Sequence, residues 1–346
     1  MSPATRRRVE AVIRATGYHV NAIAQSLRSQ RVNTIAHILH EFLPNPFFSH
    51  VARGLQREAA SYGYEVLAYN CEGSAQLESE AVAAAIRHRV RAVVFTTPVS
   101  ANNVRLVIKA GIRVVQVERP TRVPTSVVTV NNYVGAREAV EHLIACGHHE
   151  IVYIGQRVRD RDSHSSSVDG DRLQGYKDAV AEAGLRPRVV LKSYPGAGRE
   201  DFPRLGEGCM RALLSAPEIP TAVFTGSDLL AAGILQALYE AGCRVPDDMA
   251  VVGFDDTYAA ALCPPLTTVA VPMYQLGQEA FRSAVVHDDR DAVELPTHLV
   301  VRASTWKVPR RGANGRRPGP RAEKHGVAVR ENGASKVAVG KARSAG

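Results

Sequence analysis

From Thr34 onward the chain alternates between short apolar runs rich in β-branched residues and stretches of helical length, and this alternation limits the folds open to it. The strand candidates are Thr34–Leu39, Tyr64–Tyr69, Arg91–Thr97, Ile112–Glu118, Ile151–Gly155, Val189–Ser193, Ala222–Thr225 and Ala250–Phe254. The helix candidates are Phe48–Tyr62, Leu77–His88, Asn103–Ala110, Tyr133–Cys146, Arg172–Ala183, Arg204–Ser215, Leu229–Ala241 and Met273–Val286. Gly63, Gly111, Gly147, Gly184 and Gly242 each follow a helical run, where a left-handed residue closes a helix. Strands that are apolar throughout are buried on both faces, so the expectation is parallel sheets with helices on either side. Eight units exceed one simple sheet, and Ser126–Asn132 leads from the fourth strand into a new series. The expected architecture is α/β, with two doubly wound parallel-sheet subdomains and a cleft beyond the carboxyl ends of their strands.

The 346 residues are enough for two domains. No run of 18 apolar residues occurs, which excludes a transmembrane helix. The first thirty residues lack the apolar core of a secretion signal. The cysteines, Cys71, Cys146, Cys209, Cys243 and Cys263, are odd in number, widely spaced and without a C-x-x-C pair. Neither a disulfide framework nor a zinc site is expected, and reduced cytoplasmic thiols are.

The net charge of +9 is unevenly placed. Residues 1–31 hold six Arg against one Glu, residues 307–346 hold eleven Lys or Arg against two Glu, and the stretch between is net acidic. Basic ends on an acidic body point to a polyanion partner, nucleic acid first. The tail after Trp306, rich in Gly, Pro, Arg and Ala, reads as disordered and can equally serve only solubility.

Signatures of catalysis are missing. There is no phosphate-binding G-x-x-x-x-G-K-[ST], no G-x-G-x-x-G after a strand, no G-x-S-x-G elbow and no H-E-x-x-H. His148-His149-Glu150 is a poor metal cluster because adjacent residues point apart. No cofactor and no enzymatic activity are expected. The N-terminus differs from the rest. Ser2-Pro3 starts a helix, a capping hydroxyl before proline, and Val9, Val12 and Ile13 form a small apolar face on it. Asn21–Arg28 places Ala22, Ile23 and Leu27 at helical spacing but is too short to be stable alone.

Six segments in register resemble the LacI/GalR family of bacterial transcriptional repressors. They are Gly17–Ala36, NPFF at Asn45–Phe48, Ala139–Gly155, Asp171–Leu185, GSDLLAAGILQALYEAGCRVPDDMAVVGFDD at Gly226–Asp256, and PPLTTV at Pro264–Val269. The resemblance covers residues 1 to about 306. It implies a homodimeric, effector-controlled DNA-binding protein with a periplasmic-binding-protein-like core. One departure is large. Relatives begin with a helix-turn-helix, whereas this sequence starts at what resembles the third helix of that domain, Ser2–Thr16. Met1 stands where a valine is frequent, so a GTG codon read as the start, with a longer natural protein, is the expected explanation. An in-frame stop immediately upstream excludes it. If the chain acts without those helices, a stand-alone ligand-binding module without operator binding is the alternative function.

By the same resemblance, Asn21–Arg28 is the hinge helix that folds on DNA. Leu27 is then the minor-groove wedge, Arg28 lies in or beside the groove, and Asn21 and Ala22 lie at the duplex. Packing of Leu27 beneath the core is the alternative. Gln25 stands where arginine is usual. For the cleft, Asp255 follows a strand and can accept two hydroxyl hydrogen bonds, as sugars require. Arg172 matches a ligand-binding arginine of the family. Glu118 ends its strand where relatives often carry Asp, and Ser227 and Asp228 follow the strand that ends at Thr225. Phe47, Phe48 and Phe224 can offer ring faces. The competing roles are helix capping for Asp228 and Asp255, core packing for Phe47 and Phe48, and a surface ion pair for Arg172. The expected division is a partial DNA-binding domain at 1–31, one core subdomain at 34–131 and 264–290, the other at 132–263 and 291–306, and a disordered basic tail at 307–346. The expected partners are operator DNA, bound weakly or not at all by the chain as given, a small effector such as a sugar, and a second copy of the chain; none is a membrane.

Overall fold

The computed structural model describes residues 2–16, 33–41, 45–156, 168–192, 202–287 and 292–305. The chain divides between Arg310 and Arg311 into two units, and every described residue belongs to the first. The proposed DNA contacts Asn21, Ala22, Leu27 and Arg28, and the basic tail, lie outside the described residues.

Helix α1 spans Pro3–Thr16. It starts as its sequence demands, with the Ser2 hydroxyl accepting from the Thr5 amide at 3.3 Å. Val9, Val12 and Ile13 are exposed on it.

The first sheet contains β1 (Thr34–Leu39), β2 (Glu65–Asn70), β3 (Ala92–Thr96), β4 (Arg113–Val117), β5 (Ser126–Val130) and β11 (Ala292–Leu295). Its strand order is β11-β5-β4-β3-β1-β2, parallel throughout. Helices α2 (Pro46–Ser61), α3 (Ala75–Arg87), α4 (Ala101–Lys109) and α9 (Met273–Val285) accompany it. The second sheet contains β6 (Ile151–Gln156), β7 (Arg188–Lys192), β8 (Ala222–Thr225), β9 (Ala250–Asp255), β10 (Thr267–Ala270) and β12 (His298–Val300). Its order is β12-β10-β9-β8-β6-β7, and only β12 runs antiparallel. Helices α5 (Asn132–Ala145), α6 (Val168–Glu182), α7 (Phe202–Leu214) and α8 (Asp228–Glu240) belong with it. The two orders are the same arrangement used twice. Each reverses direction between its first and third strands, at β1/β3 and β6/β8, and ligands in doubly wound sheets bind at such points.

Buried strands explain the core: β3 reads AVVFT and β8 AVFT with every residue buried. All five glycines expected to close helices have positive φ, from 68° at Gly184 and Gly242 to 91° at Gly147. Helices α2 and α9 approach through glycine. A Cβ on Gly54 would lie 2.0 Å from the Tyr274 carbonyl oxygen, and one on Gly277 2.0 Å from that of Val51.

The expected subdomain boundaries need correction. Strand β10 lies in the second sheet, not the first, and β11 lies in the first, not the second. A strand followed by a helix normally stays within one sheet. Here the chain crosses between the sheets inside that unit, after β10, and crosses again between Leu295 and His298. Strand β5, absent from the strand candidates, is a regular member of the first sheet.

Candidate ligand-binding cleft

The loops at the two reversal points meet across a cleft that encloses about 610 Å³ of empty space, its open mouth included. Asn45, Phe47, Phe48, Thr97, Glu118 and Arg119 line it from the first lobe. Gln156, Val168, Asp169, Arg172, Phe202, Gly226, Ser227, Leu229, Leu230 and Asp255 line it from the second.

Each wall has a local cause. The Asn45 side chain caps α2, accepting from the Phe47 amide at 3.0 Å, with Pro46 in the first helical turn. This sets Phe47 and Phe48 edge to face, ring centroids 5.2 Å apart, at the cleft. Opposite, the Ser227 hydroxyl caps α8 by accepting from the Leu230 amide at 3.3 Å.

Arg172 is the centre of the second-lobe wall. Its Nε donates to Asn132 Oδ1 at 2.9 Å, one terminal nitrogen to the Gly226 carbonyl at 2.5 Å and the other to Asp255 Oδ1 at 3.3 Å. Its guanidinium lies 3.7 Å from the Phe254 ring centroid. The pair with Asp255 is buried, so Arg172 is no surface ion pair.

Across the cleft, Arg119 follows β4 and pairs with Asp169 at 2.9 Å, joining the two lobes. Beside it Glu118 is buried, and neither carboxylate oxygen has a hydrogen-bond partner of ordinary geometry. Burial pushes its carboxyl up to about 7, against the opposing pull of Arg172 and Arg119.

The structure thus brings Phe47, Phe48, Glu118, Arg172, Ser227 and Asp255 together on the lining of one cleft. It does not place Phe224 or Asp228 at the cleft. Phe224 is fully buried against Tyr153, because alternate residues of a strand face opposite sides and its side points into the core. Asp228 turns inward in the first turn of α8, accepting from the Thr268 hydroxyl at 2.6 Å and the Thr257 amide at 2.8 Å. It ties three segments of the second lobe together, and burial, then the neighbouring Asp255, pushes its carboxyl up to about 7. Arg119 and Asp169 were missed. The signal for Asp169 was its position three residues before Arg172, on the same helical face, in a first turn that the sequence pattern did not assign to helix. Among the described residues no group of three or more His, Cys, Asp and Glu is placed to hold a metal ion. Nor is any helix there long and apolar enough to cross a membrane.

Twin doubly wound lobes with a polar cleft at their strand ends define a two-lobed binding protein, and residues 140–305 match the periplasmic binding protein-like domain. The chain belongs to the LacI family of transcriptional regulators. It is 30% identical over 323 residues to the HTH-type transcriptional repressor CytR of Escherichia coli K12, covering 89% of this chain and 90% of that one. It is 33% identical over 284 residues to the ribose operon repressor of the same organism, covering 81% and 83%. Among solved structures, the transcriptional regulator CelR–cellobiose complex matches with a TM-score of 0.68 and 28% identity, covering 88% of this chain and 91% of that one.

Proposed function

We propose that the cleft binds a small polar effector, a sugar or sugar derivative, and that its occupancy alters the affinity of a homodimer for operator DNA. The observation that carries this is the convergence on one cleft of Glu118 and Asp255, at strand ends, with Arg172 from helix α6. Carboxylates and a guanidinium fixed in this way are acceptors and donors matched to hydroxyl groups. The similarity to a ribose operon repressor and to a regulator solved with cellobiose supports a sugar. The DNA side is assigned to Asn21, Ala22, Leu27 and Arg28, with Leu27 as wedge. A ligand switches such a protein only if it prefers one of two arrangements of the lobes. None of these residues is given a catalytic role.

Thermal unfolding against a panel of sugars that includes D-ribose and cellobiose tests the effector. A true effector at 100 times its Kd stabilises by about 2.7 kcal/mol. Duplexes selected from random-sequence DNA by the chain then test the coupling, with binding measured with and without that sugar. Leu27→Ala weakens binding there without loss of folding. No stabilising sugar, or DNA binding indifferent to the one found, overturns the reading.

A further inference from the structure

Between Glu80 and Glu118 the chain carries no acidic residue, yet it holds six Lys or Arg and one His. The fold gathers four of these charges at one place. Arg87 ends α3, Arg89 and Arg91 lie between α3 and β3, and Lys109 ends α4 just before β4. All four are exposed, and among the described residues none is paired with a carboxylate. This is the amino end of the first sheet, a full strand length away from the cleft. Glu65, exposed at the start of β2, is the acid set against them.

Two further observations bear on this end. Helices α2, α4, α5, α6 and α8 close on glycines with positive φ, whereas α3 closes on Arg89 at a φ of 52°. A side chain in that conformation is strained, and glycine relieves the strain. Basic residues in a last helical turn complement the helix dipole, which accounts for Arg87 and Lys109. It does not account for Arg89 and Arg91, which lie beyond the helix. The chain also enters the lobe here. The Arg91 amide donates to the Thr34 carbonyl at 2.7 Å, and the Glu65 amide to that of Asn33 at 2.9 Å. Arg28 is five residues before Asn33, so the backbone between them reaches about 18 Å at most. A duplex held at Asn21–Arg28 therefore passes close to this end of the lobe.

Resting on the reading of Asn21–Arg28 as the DNA-contacting segment, we propose that the amino end of the first sheet is a second DNA surface. Arg87, Arg89, Arg91 and Lys109 contact phosphates of the duplex that flanks the step held by Leu27. Contacts of this kind add affinity and fix the placement of the lobe without reading base sequence. Arg89 keeps its strained backbone because its guanidinium serves the duplex.

Fluorescence anisotropy of the full chain on duplexes selected from random-sequence DNA, over a range of salt, tests this. The triple variant Arg87→Gln/Arg89→Gln/Arg91→Gln is expected to weaken binding about tenfold or more near 0.1 M salt. It should also lower the slope of log K against log salt by about 2–3. A control, Arg122→Gln/Lys177→Gln/Arg186→Gln, removes the same charge from exposed positions elsewhere and should keep the wild-type slope. Arg89→Gly alone should lower the slope by about 1 while raising the unfolding temperature, a combination that a structural role for Arg89 does not give. That single variant carries the test if the triple variant fails to fold. A triple variant with the wild-type slope overturns the proposal and leaves Asn21–Arg28 as the DNA segment. An equal loss in the control also overturns it, because net charge then explains the effect. A wild-type chain that binds no duplex removes both this surface and the DNA side of the proposed function.

Discussion

Thr97, Glu118 and Asp255 have positive φ, at 58°, 68° and 107°, and each sits at the carboxyl end of a strand facing the cleft. Non-glycine residues reach this region at a cost of about 1–3 kcal/mol each, and such strain gathers where side chains must be aimed. Arg172 offsets part of it by holding Asp255. Arg172→Ala removes the guanidinium that faces that buried carboxylate, so urea unfolding should show a loss of about 3 kcal/mol, together with loss of effector binding. Asp228 makes a different prediction. Its carboxyl titrates at about 7 in the folded chain against 3.8 ordinarily. Between those values the folded chain keeps a proton that the unfolded chain has released, so stability falls as pH rises through that window. Asp228→Asn keeps the shape, and its amide can donate to the Thr268 hydroxyl. Relative to wild type it should gain roughly 1–3 kcal/mol on moving from pH 4.5 to pH 7.5. Glu118, raised from 4.5 to about 7, adds a slope of the same sign, so the pH dependence flattens only in part. A wild-type pH profile unchanged by Asp228→Asn refutes the assignment.

At the scale of elements, most of the strands and helices were legible because buried parallel strands announce themselves as apolar runs and helices end on glycine. The short strands at the sheet edges were not. Strands β11 (AVEL) and β12 (HLV) have four and three residues, too few for a periodic signal, and their existence depends on the neighbour that supplies hydrogen bonds. The glycines that join α2 to α9 give no periodic signal either. Gly54 and Gly277 sit mid-helix, where glycine is intrinsically unfavourable, and only the packed pair explains them. Gly277→Ala has to push α9 away from the Val51 carbonyl and should cost about 1–3 kcal/mol in denaturant unfolding. Gly54→Ala acts on the same interface, so the double variant should lose less than the sum of the singles.

Across the whole molecule, the Arg119–Asp169 pair is a direct charged link from the loop after β4 to α6. It favours the arrangement in which the two lobes approach. The pair is partly exposed, so its worth is about 1 kcal/mol, which changes an open-to-closed ratio roughly fivefold. Asp169→Asn should therefore enlarge the unliganded chain in small-angle scattering, and a saturating effector should return it toward the wild-type dimensions. Identical scattering of the two unliganded chains refutes the latch. On the proposed function, the same geometry supplies a physical basis for a switch: a ligand contacting both lobes would prefer the arrangement in which Glu118 and Arg172 face one space.

The sequence by itself determined the class of fold, two series of parallel strands with helices between them, because hydrophobic period and helix-closing residues are local properties. It also placed Glu118, Ser227 and Asp255 at strand ends and hence near a cleft. Only the tertiary structure decided which sheet received Thr267–Ala270 and Ala292–Leu295, because sheet membership is settled by long-range pairing. It alone turned Asp228 and Phe224 inward, since which face of a helix or a strand meets the core depends on what packs against it. And it alone joined Arg119 to Asp169, fifty residues apart in the chain, because an ion pair between two lobes has no periodicity to read.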